Sequence, residues 1–465
     1  MLTVEKIGGT SMSQFGNVLN NIIIGKRNAE DYYNRIFVVS AYSNVTNKLL
    51  EHKKTGDPGV YEQFINNGDF ATALDSVLAY LLEINQEMEK IGLDINAAKE
   101  FIEERIAKTK TILVYLNNVK ASGYLNVINI HLAAREILAS IGEAHSAWNS
   151  VNILNNNGVN AKCIDLSGID DPSPLTIDER ISRTFENKKF DKILYIVTGY
   201  TKGTEGIMRE FDRGYSEVTF SKIAEVVKAN EAIIHKEYHL SSADPNIVGV
   251  NNTKPVGHTN FIVADQLADI GMEAIHPKAA KPLEKAGINI RIKNTFEPEH
   301  PGTLISRDYI SEIPKVEIIS GTKRVLAIEV RSSEMVGEVG ADLEIMKHLN
   351  NRKISYILKS TDASSITIVV WDKKILNQQL ISDLKTIKNV EVHSREVAIV
   401  CAIGSNIAKP GFLARATSAL ANEKINVLSF GQSLRQVNMQ FIIERNDYED
   451  AIKVLNKSLC LEIGW

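Results

Sequence analysis

Lys6 stands just before a glycine pair, Gly8-Gly9, and two hydroxyl residues, Thr10-Ser11, follow the pair directly. Such a set can bind an anion. Glycine lets backbone N–H groups approach a ligand without a Cβ in the way, and a lysine beside the turn adds a mobile positive charge. The order is not that of a Walker loop, whose lysine follows the last glycine, nor of the G-x-G-x-x-G dinucleotide fingerprint. The bland alternative is a tight strand-to-helix turn with a solvated lysine. In "GTEGIMREFDRGYSEVT", Arg213-Gly214 is followed by Ser216, Glu217 and a helical pattern. That presents an arginine at a helix start, where its planar fork can hold a carboxylate through two hydrogen bonds.

Glu143 follows Gly142 in the helical stretch "SIGEAHSAW". A carboxylate there can hold an amino group, although such a glutamate is more often an exposed helix residue. Ser40 closes the strand-like "RIFVVS", and Thr46 stands at a helix start, where capping and ligand roles are compatible. In "IHKEYHLSSADPN", His235 and His239 are four apart but fit neither H-E-x-x-H nor H-x-x-E-H. Residues so spaced in a strand lie far from each other, so zinc is not expected.

These residues need elements to hold them. A short strand over Leu2 to Lys6 leads into a helix with Phe15, Val18, Leu19, Ile22 and Ile23 on one face, capped by Ser11 or Ser13. Strand-like runs at Ile36 to Ser40, Ile193 to Thr198, Ala232 to His235 and Ile288 to Asn294 alternate with helical periodicities up to about Arg307. Alternation of this kind implies a largely parallel sheet with helices on both faces and ligands at the carboxyl ends of its strands. Residues 51–118 are mostly helical and polar and read as an insertion.

Beyond about Pro314 the units shorten and a repeat emerges at an offset of 71, matching Gly340 with Gly411, Leu349 with Leu420 and Ile354 with Ile425. Each copy runs strand, glycine loop, helix, strand, strand, helix, which is the split βαβ order. Two such half-sandwiches side by side offer a small-molecule site between them.

A chain of 465 residues predicts two or three domains, and 44% hydrophobic with 24% charged residues is a soluble globular composition. The net charge of -4 gives no global attraction to nucleic acid or anionic membrane. Cys163, Cys401 and Cys460 are odd in number and form no C-x-x-C, which argues against a disulfide framework and a cysteine zinc site. With no signal-like start and no apolar run of spanning length, a cytoplasmic protein is expected.

Together the pieces resemble the aspartate kinases of the amino acid kinase family. There "K-[FI]-G-G-T-S", "V-V-S-A…V-T-N", a "G-E" helix, "R-G-x-S-[DE]", "A-D-P", "H-P" and "N-T-F-x-P…P-G-T-L-I" occur in this order before paired ACT domains. Here they stand at Lys6 to Ser11, Val38 to Asn47, Gly142-Glu143, Arg213 to Glu217, Ala243 to Pro245, His276-Pro277 and Asn294 to Ile305. The resemblance implies an α/β fold: a three-layer αβα, carbamate kinase-like domain with a mainly parallel sheet over residues 1–310. Two ferredoxin-like βαββαβ ACT domains would follow at 320–392 and 393–465.

The implied reaction moves the γ-phosphate of ATP, with Mg2+ and no metal ligand from the protein, to the side-chain carboxylate of L-aspartate. Lys6, Gly8, Gly9, Thr10 and Ser11 would cradle phosphate, with Lys6 and Glu217 catalytic. Ser40, Thr46, Glu143, Arg213, Gly214 and Ser216 would hold aspartate, Glu143 on its ammonium and Arg213 on its α-carboxylate. His235, Lys236, Ser241, Asp244 and Glu273 fall on the nucleotide side. Gly337, Gly340 and Asp342 fall in a loop for an amino-acid effector such as lysine or threonine. ACT pairing implies a homodimer or higher homo-oligomer, and no dehydrogenase-like segment follows, so a monofunctional enzyme is expected.

The departures from the family pattern cluster. "L-G-R-G-G-S-D" reads Phe211-Asp212-Arg213-Gly214-Tyr215-Ser216-Glu217, with tyrosine for a glycine and glutamate for aspartate. The nucleotide segment "T-D-V-D-G-V-Y-T-A-D-P-R" reads His235 to Asn246, and the lysine of "G-A-K-V-L-H-P" is Glu273, a charge Lys236 could replace. Retention of Lys6, Thr46, Glu143 and Arg213 fits a divergent branch, the one associated with ectoine synthesis. The alternatives are an amino-acid sensor without turnover and a kinase of another amino acid.

Overall fold

The computed structural model describes residues 1–52, 55–211, 214–272, 275–335 and 339–462. They form two units, Met1–His239 with Ile275–Leu304 and Leu240–Ala274 with Ile305–Trp465. The division differs from a single cut near residue 310, since residues 240–274 group with the C-terminal half.

The strands run Thr3–Ile7 (β1), Arg35–Val39 (β2), Ala161–Ile164 (β3), Leu194–Thr198 (β4), Glu231–Lys236 (β5), His258–Asn260 (β6), Asn289–Asn294 (β7) and Thr303–Ser306 (β8). In the first unit six of them hydrogen-bond in the order β3-β4-β2-β1-β5-β7, every neighbouring pair parallel. β2 and β4 are buried along their whole length, which is why "RIFVV" and "LYIVT" read as continuous rather than alternating apolar runs. The sheet grows from β1 to β2 on one side and to β5 on the other. The loop after β1 therefore opens at the topological switch point, where parallel sheets bind ligands.

That loop carries Lys6 and the glycine pair. Phe15, Val18, Leu19, Ile22 and Ile23 are all buried, as their spacing predicts. The segment is not one helix, however, but short turns at Gly9–Met12 and Phe15–Val18 followed by a π turn, Leu19–Ile23. Ser11 lies inside the first turn, and the caps are Gly8 and Gln14, so neither Ser11 nor Ser13 caps a helix. Thr46 likewise lies within Val45–Leu49, whose N-cap is Asn44 in a left-handed conformation.

The insertion is helical at Val60–Ile65, Phe70–Met88 and Ile95–Ser122, and the long helix Val127–Asn156 follows. Asp69, Asp94 and Asn126 begin the three long helices, each accepting a backbone N–H of the first turn. Among the described residues no helix is long and apolar enough to cross a membrane.

The second unit is built on Ile318–Arg331 (β9), Tyr356–Thr361 (β10), Ser365–Trp371 (β11), Glu391–Ile403 (β12), Val427–Gly431 (β13) and Asn438–Glu444 (β14). Each copy of the repeat has the expected element order, but the copies form one continuous antiparallel sheet, β10-β11-β9-β12-β14-β13. β12 pairs with β9 along nearly all its length: Glu391 to Glu396 lie opposite Arg331 to Leu326, and Ile399 to Ile403 opposite Thr322 to Ile318. One core therefore takes Val316 and Ile319 together with residues 398–460, and the other takes Val390 and Val392 together with residues 326–384. A boundary between 392 and 393 falls inside β12.

Candidate active site

The loops after β1, β2, β4 and β5 converge in the first unit. A Cβ on Gly9 would stand 2.7 Å from the carbonyl oxygen of Ala41, so the loops after β1 and β2 touch only because the residue is glycine. Lys6, on β1, points its Nζ to Glu217 Oε1 at 3.4 Å. Glu217 lies in the first turn of helix Tyr215–Val226, whose N-cap is Gly214, and its other oxygen accepts the His276 N–H at 2.6 Å. Burial alone would push the Glu217 carboxyl up, but Lys6, Lys236 and that N–H hold it below the usual range. Lys6, Lys236 and Glu217 thus form one cluster at the mouth of β1 and β5.

Ser11 is not free for a ligand in this arrangement. Its N–H and hydroxyl both reach Glu237 Oε1 at 3.1 Å, and its Oγ is also 3.1 Å from Thr295 Oγ1. A carboxylate of the chain itself occupies the donors that the sequence assigned to phosphate.

The second part of the site lies on helix Val127–Asn156. Glu143 is 2% exposed. A Cβ at the neighbouring Gly142 would stand 2.5 Å from Ala41 Cβ, so this glycine lets the helix lie against the loop after β2. Glu143 Oε1 accepts the Tyr215 hydroxyl at 2.7 Å and lies 3.5 Å from Ser216 Oγ, while Oε2 is buried without a hydrogen-bond partner among the described residues. Burial pushes its carboxyl up to about 7, against the opposing donors Tyr215, the backbone of Glu143 and Ala41, and Ser216.

Ser40 sits at the end of β2, its N–H bonded to Ile7 O and its carbonyl accepting Ser146 Oγ. Thr46 is half-buried on the short helix that follows. A cavity of about 530 Å3 opens one turn before Glu143, lined by Glu136, Ser140, Tyr200 and Arg209 among others.

Several expected members stand elsewhere. His235 faces away from Lys6: the β1–β5 register sets Lys6 against Ile234 and Ile7 against His235, so His235 shares the opposite face with Glu5. There its Nε2 meets Glu5 Oε2 at 2.7 Å, and Arg35 grips the same carboxylate at 2.6 and 3.1 Å. Burial raises the Glu5 carboxyl, but Arg35 and His235 prevail and hold it far below the usual range. His235 is therefore part of a buried ionic knot under the sheet rather than of the nucleotide side.

Ser241 and Asp244 belong to the second unit. Ser241 bridges to Pro255, and Asp244 caps helix Pro245–Val248 by accepting the Asn246 N–H at 2.9 Å. Gly340, at φ 103°, caps helix Ala341–Asn351, and Asp342 accepts Lys359 Nζ at 2.6 Å. Arg213, Glu273 and Gly337 lie outside the described residues.

Sequence reasoning missed Tyr215 and Glu237 as partners of the site. Both lie within segments that depart from the family pattern, and that departure was the available signal.

The amino acid kinase family model matches residues 1–294, and an ACT domain model matches 400–459. The chain is 49% identical over 465 residues to the aspartate kinase Ask_Ect of Stutzerimonas stutzeri (strain A1501), covering 99% of this chain and 97% of that one. It is 25% identical to the chloroplastic aspartokinase 1 of Arabidopsis thaliana, over 80% of this chain and 69% of that one. In fold it is similar to the Clostridium acetobutylicum aspartate kinase, with TM-score 0.72, 22% identity and 98% and 100% of the two chains covered. E. coli aspartokinase III gives TM-score 0.71 at 21% identity, with 99% and 100% covered.

Proposed function

This chain belongs to the amino acid kinase family, and from that premise we propose that it is an aspartate kinase. It transfers the γ-phosphate of ATP to the side-chain carboxylate of L-aspartate and gives L-4-aspartyl phosphate, the entry to aspartate-family amino acid biosynthesis. The observation that carries this reading is the bridge made by two consecutive residues. Ser216 stands by Glu143 and Glu217 by Lys6, so one helix start ties an ammonium-holding acid to a phosphate-side lysine. Full-length identity of 49% to an aspartate kinase supports it.

Attack by a carboxylate on a phosphoryl group brings two anions together, so the protein's task is positioning and charge compensation rather than covalent participation. Lys6, kept in place by ionised Glu217, offsets charge on the moving phosphoryl group, and Lys236 adds to the same field. Glu143 holds the substrate's ammonium through Oε2. Arg213 takes the α-carboxylate, and Ser40, Thr46, Gly214 and Ser216 line the amino acid. Gly8, Gly9 and Thr10 cradle phosphate, and Ser11 joins them once Glu237 releases it.

Mg2+ bound with the nucleotide would supply charge neutralisation at the phosphates, where Glu217 and Glu237 are the carboxylates of the chain beside Lys6 and Ser11. We further place the enzyme in the cytoplasm, as a homo-oligomer through its ACT domains, with Gly337, Gly340 and Asp342 near an amino-acid effector. E. coli aspartokinase III has been solved with lysine and aspartate.

The test is hydroxylamine trapping with ATP, Mg2+ and either L-aspartate or L-glutamate, with and without lysine or threonine. Aspartate-dependent hydroxamate is the expected result. Product from glutamate alone replaces the substrate, and no product from either acid overturns the kinase reading.

A further inference from the structure

Tyr215 stands where the motif resembled by the sequence carries a glycine, and its side chain is spent on Glu143. We propose that Tyr215 is a positioning residue for substrate ammonium recognition: its hydroxyl fixes Oε1 of Glu143 and leaves Oε2 as the acceptor for the ammonium. The inference rests on the reading of Glu143 given above.

Three features make the tyrosine a fixed support. Its ring is 2% exposed. It packs edge-on against Tyr200, with centroids 5.8 Å apart and planes at 77°. Tyr200 is itself anchored, donating its hydroxyl to Glu136 Oε2 at 2.7 Å, while Glu136 Oε1 accepts the N–H groups of Met208 and Arg209. Glu136 and Glu143 are seven residues apart on one helix, about two turns, so they share a face. Each is tied to a tyrosine, and the two tyrosines touch.

The difference between the glutamates is informative. Glu136 has both oxygens engaged, and Glu143 keeps one buried oxygen with no hydrogen bond from the described residues. A desolvated acceptor left unmade is costly, and a bound ammonium recovers that cost. Among the described residues the groups facing Glu143 are Tyr215 and Ser216 from helix Tyr215–Val226, the backbone of Ala41 from the loop after β2, and Tyr200 with Glu136 behind it. His145, on its own helix, is pushed by burial down to about 3 and stays neutral.

A phenol that donates to Glu143 favours its ionised form, the form an ammonium needs. Burial works in the opposite direction and sets the carboxyl near 7. Removing the phenol raises it further, so aspartate binding weakens at and below neutral pH and recovers as pH rises.

The experiment compares wild type, Tyr215→Phe and Glu143→Gln over pH 6–9.5, with KM for L-aspartate, kcat, and inhibition by succinate, which lacks the amino group. Tyr215→Phe keeps the ring and its packing. Its KM for aspartate at pH 7 is expected to rise on the order of tenfold, with the loss on KM rather than kcat, the acid limb of kcat/KM moved to higher pH, and succinate inhibition unchanged. An unmoved acid limb and KM, or an equal loss of succinate binding, overturns the role of Tyr215 while Glu143→Gln still raises KM. If Glu143→Gln leaves KM unchanged, the reading of Glu143 falls, and this inference with it.

Discussion

At the scale of single residues, the chemistry is divided between two faces of the sheet, and the side-chain alternation of β5 decides which residue goes where. Lys6 and Lys236 share the face that bears Glu217, and a Lys6→Ala variant is expected to lose on the order of 10²–10³ in kcat while its circular dichroism spectrum stays that of the wild type. Turnover near the wild-type rate would remove Lys6 from the mechanism.

His235 was legible as chemistry-bearing but not as structural, because a single sequence does not reveal register, and one residue of register inverts every side chain. The knot it forms with Glu5 and Arg35 gives a second prediction. Breaking a buried ion pair from one side costs about 3–5 kcal/mol, so Glu5→Gln should lower the urea midpoint strongly. Glu5 has its folded pKa depressed, so its contribution is complete above about pH 5 and is lost progressively as pH falls from there toward its far lower folded pKa. The wild-type stability should therefore drop below about pH 4 more steeply than that of Glu5→Gln. Lys6 and Glu143 were readable because their own local segments carry them. Tyr215 and Glu237 were not, because their partners lie 72 and 226 residues away.

At the scale of elements, buried apolar strands and well-capped helices were readable, and distorted segments were not. The strands β2, β4, β5 and β7 fall within a residue or two of where their apolar residues place them, β2 and β4 because a strand buried on both faces must be apolar throughout and β7 because its buried residues alternate. The segment after β1 has a helical apolar pattern yet breaks into two turns and a π turn, because Gly9 is drawn against Ala41 and its apolar face must still reach the sheet. Gly142 tests how close these elements lie. Gly142→Ala places a methyl 2.5 Å from Ala41 Cβ. Overpacking of this kind costs about 1–3 kcal/mol, and the expected readouts are a lower urea midpoint and a raised KM for L-aspartate. Unchanged values for both would mean that helix Val127–Asn156 can retreat without disturbing Glu143.

At the scale of the whole chain, the sequence repeat was readable but its partition was not. Periodicity identifies each copy, whereas strand exchange between copies depends on pairings that cross the apparent boundary. A fragment of residues 393–462 lacks Val316, Ile319 and the β9 strand opposite β12. It is expected to give no cooperative unfolding transition and little amide dispersion by NMR, and a sharp transition from it would show that the second core closes on its own.

The shared pair also sets an order in time. Ile318 lies opposite Ile403, and Arg331 opposite Glu391. The start of β9, with its apolar Ile318 and Ile319, thus leaves the ribosome long before its partner is made, a wait on the order of ten seconds at ordinary rates of synthesis. Loop closure over that separation adds a slow, non-local step. The C-terminal half of this protein must therefore be kept from sticking to its neighbours during that wait, and its yield in a cell will depend on the capacity to shield nascent chains.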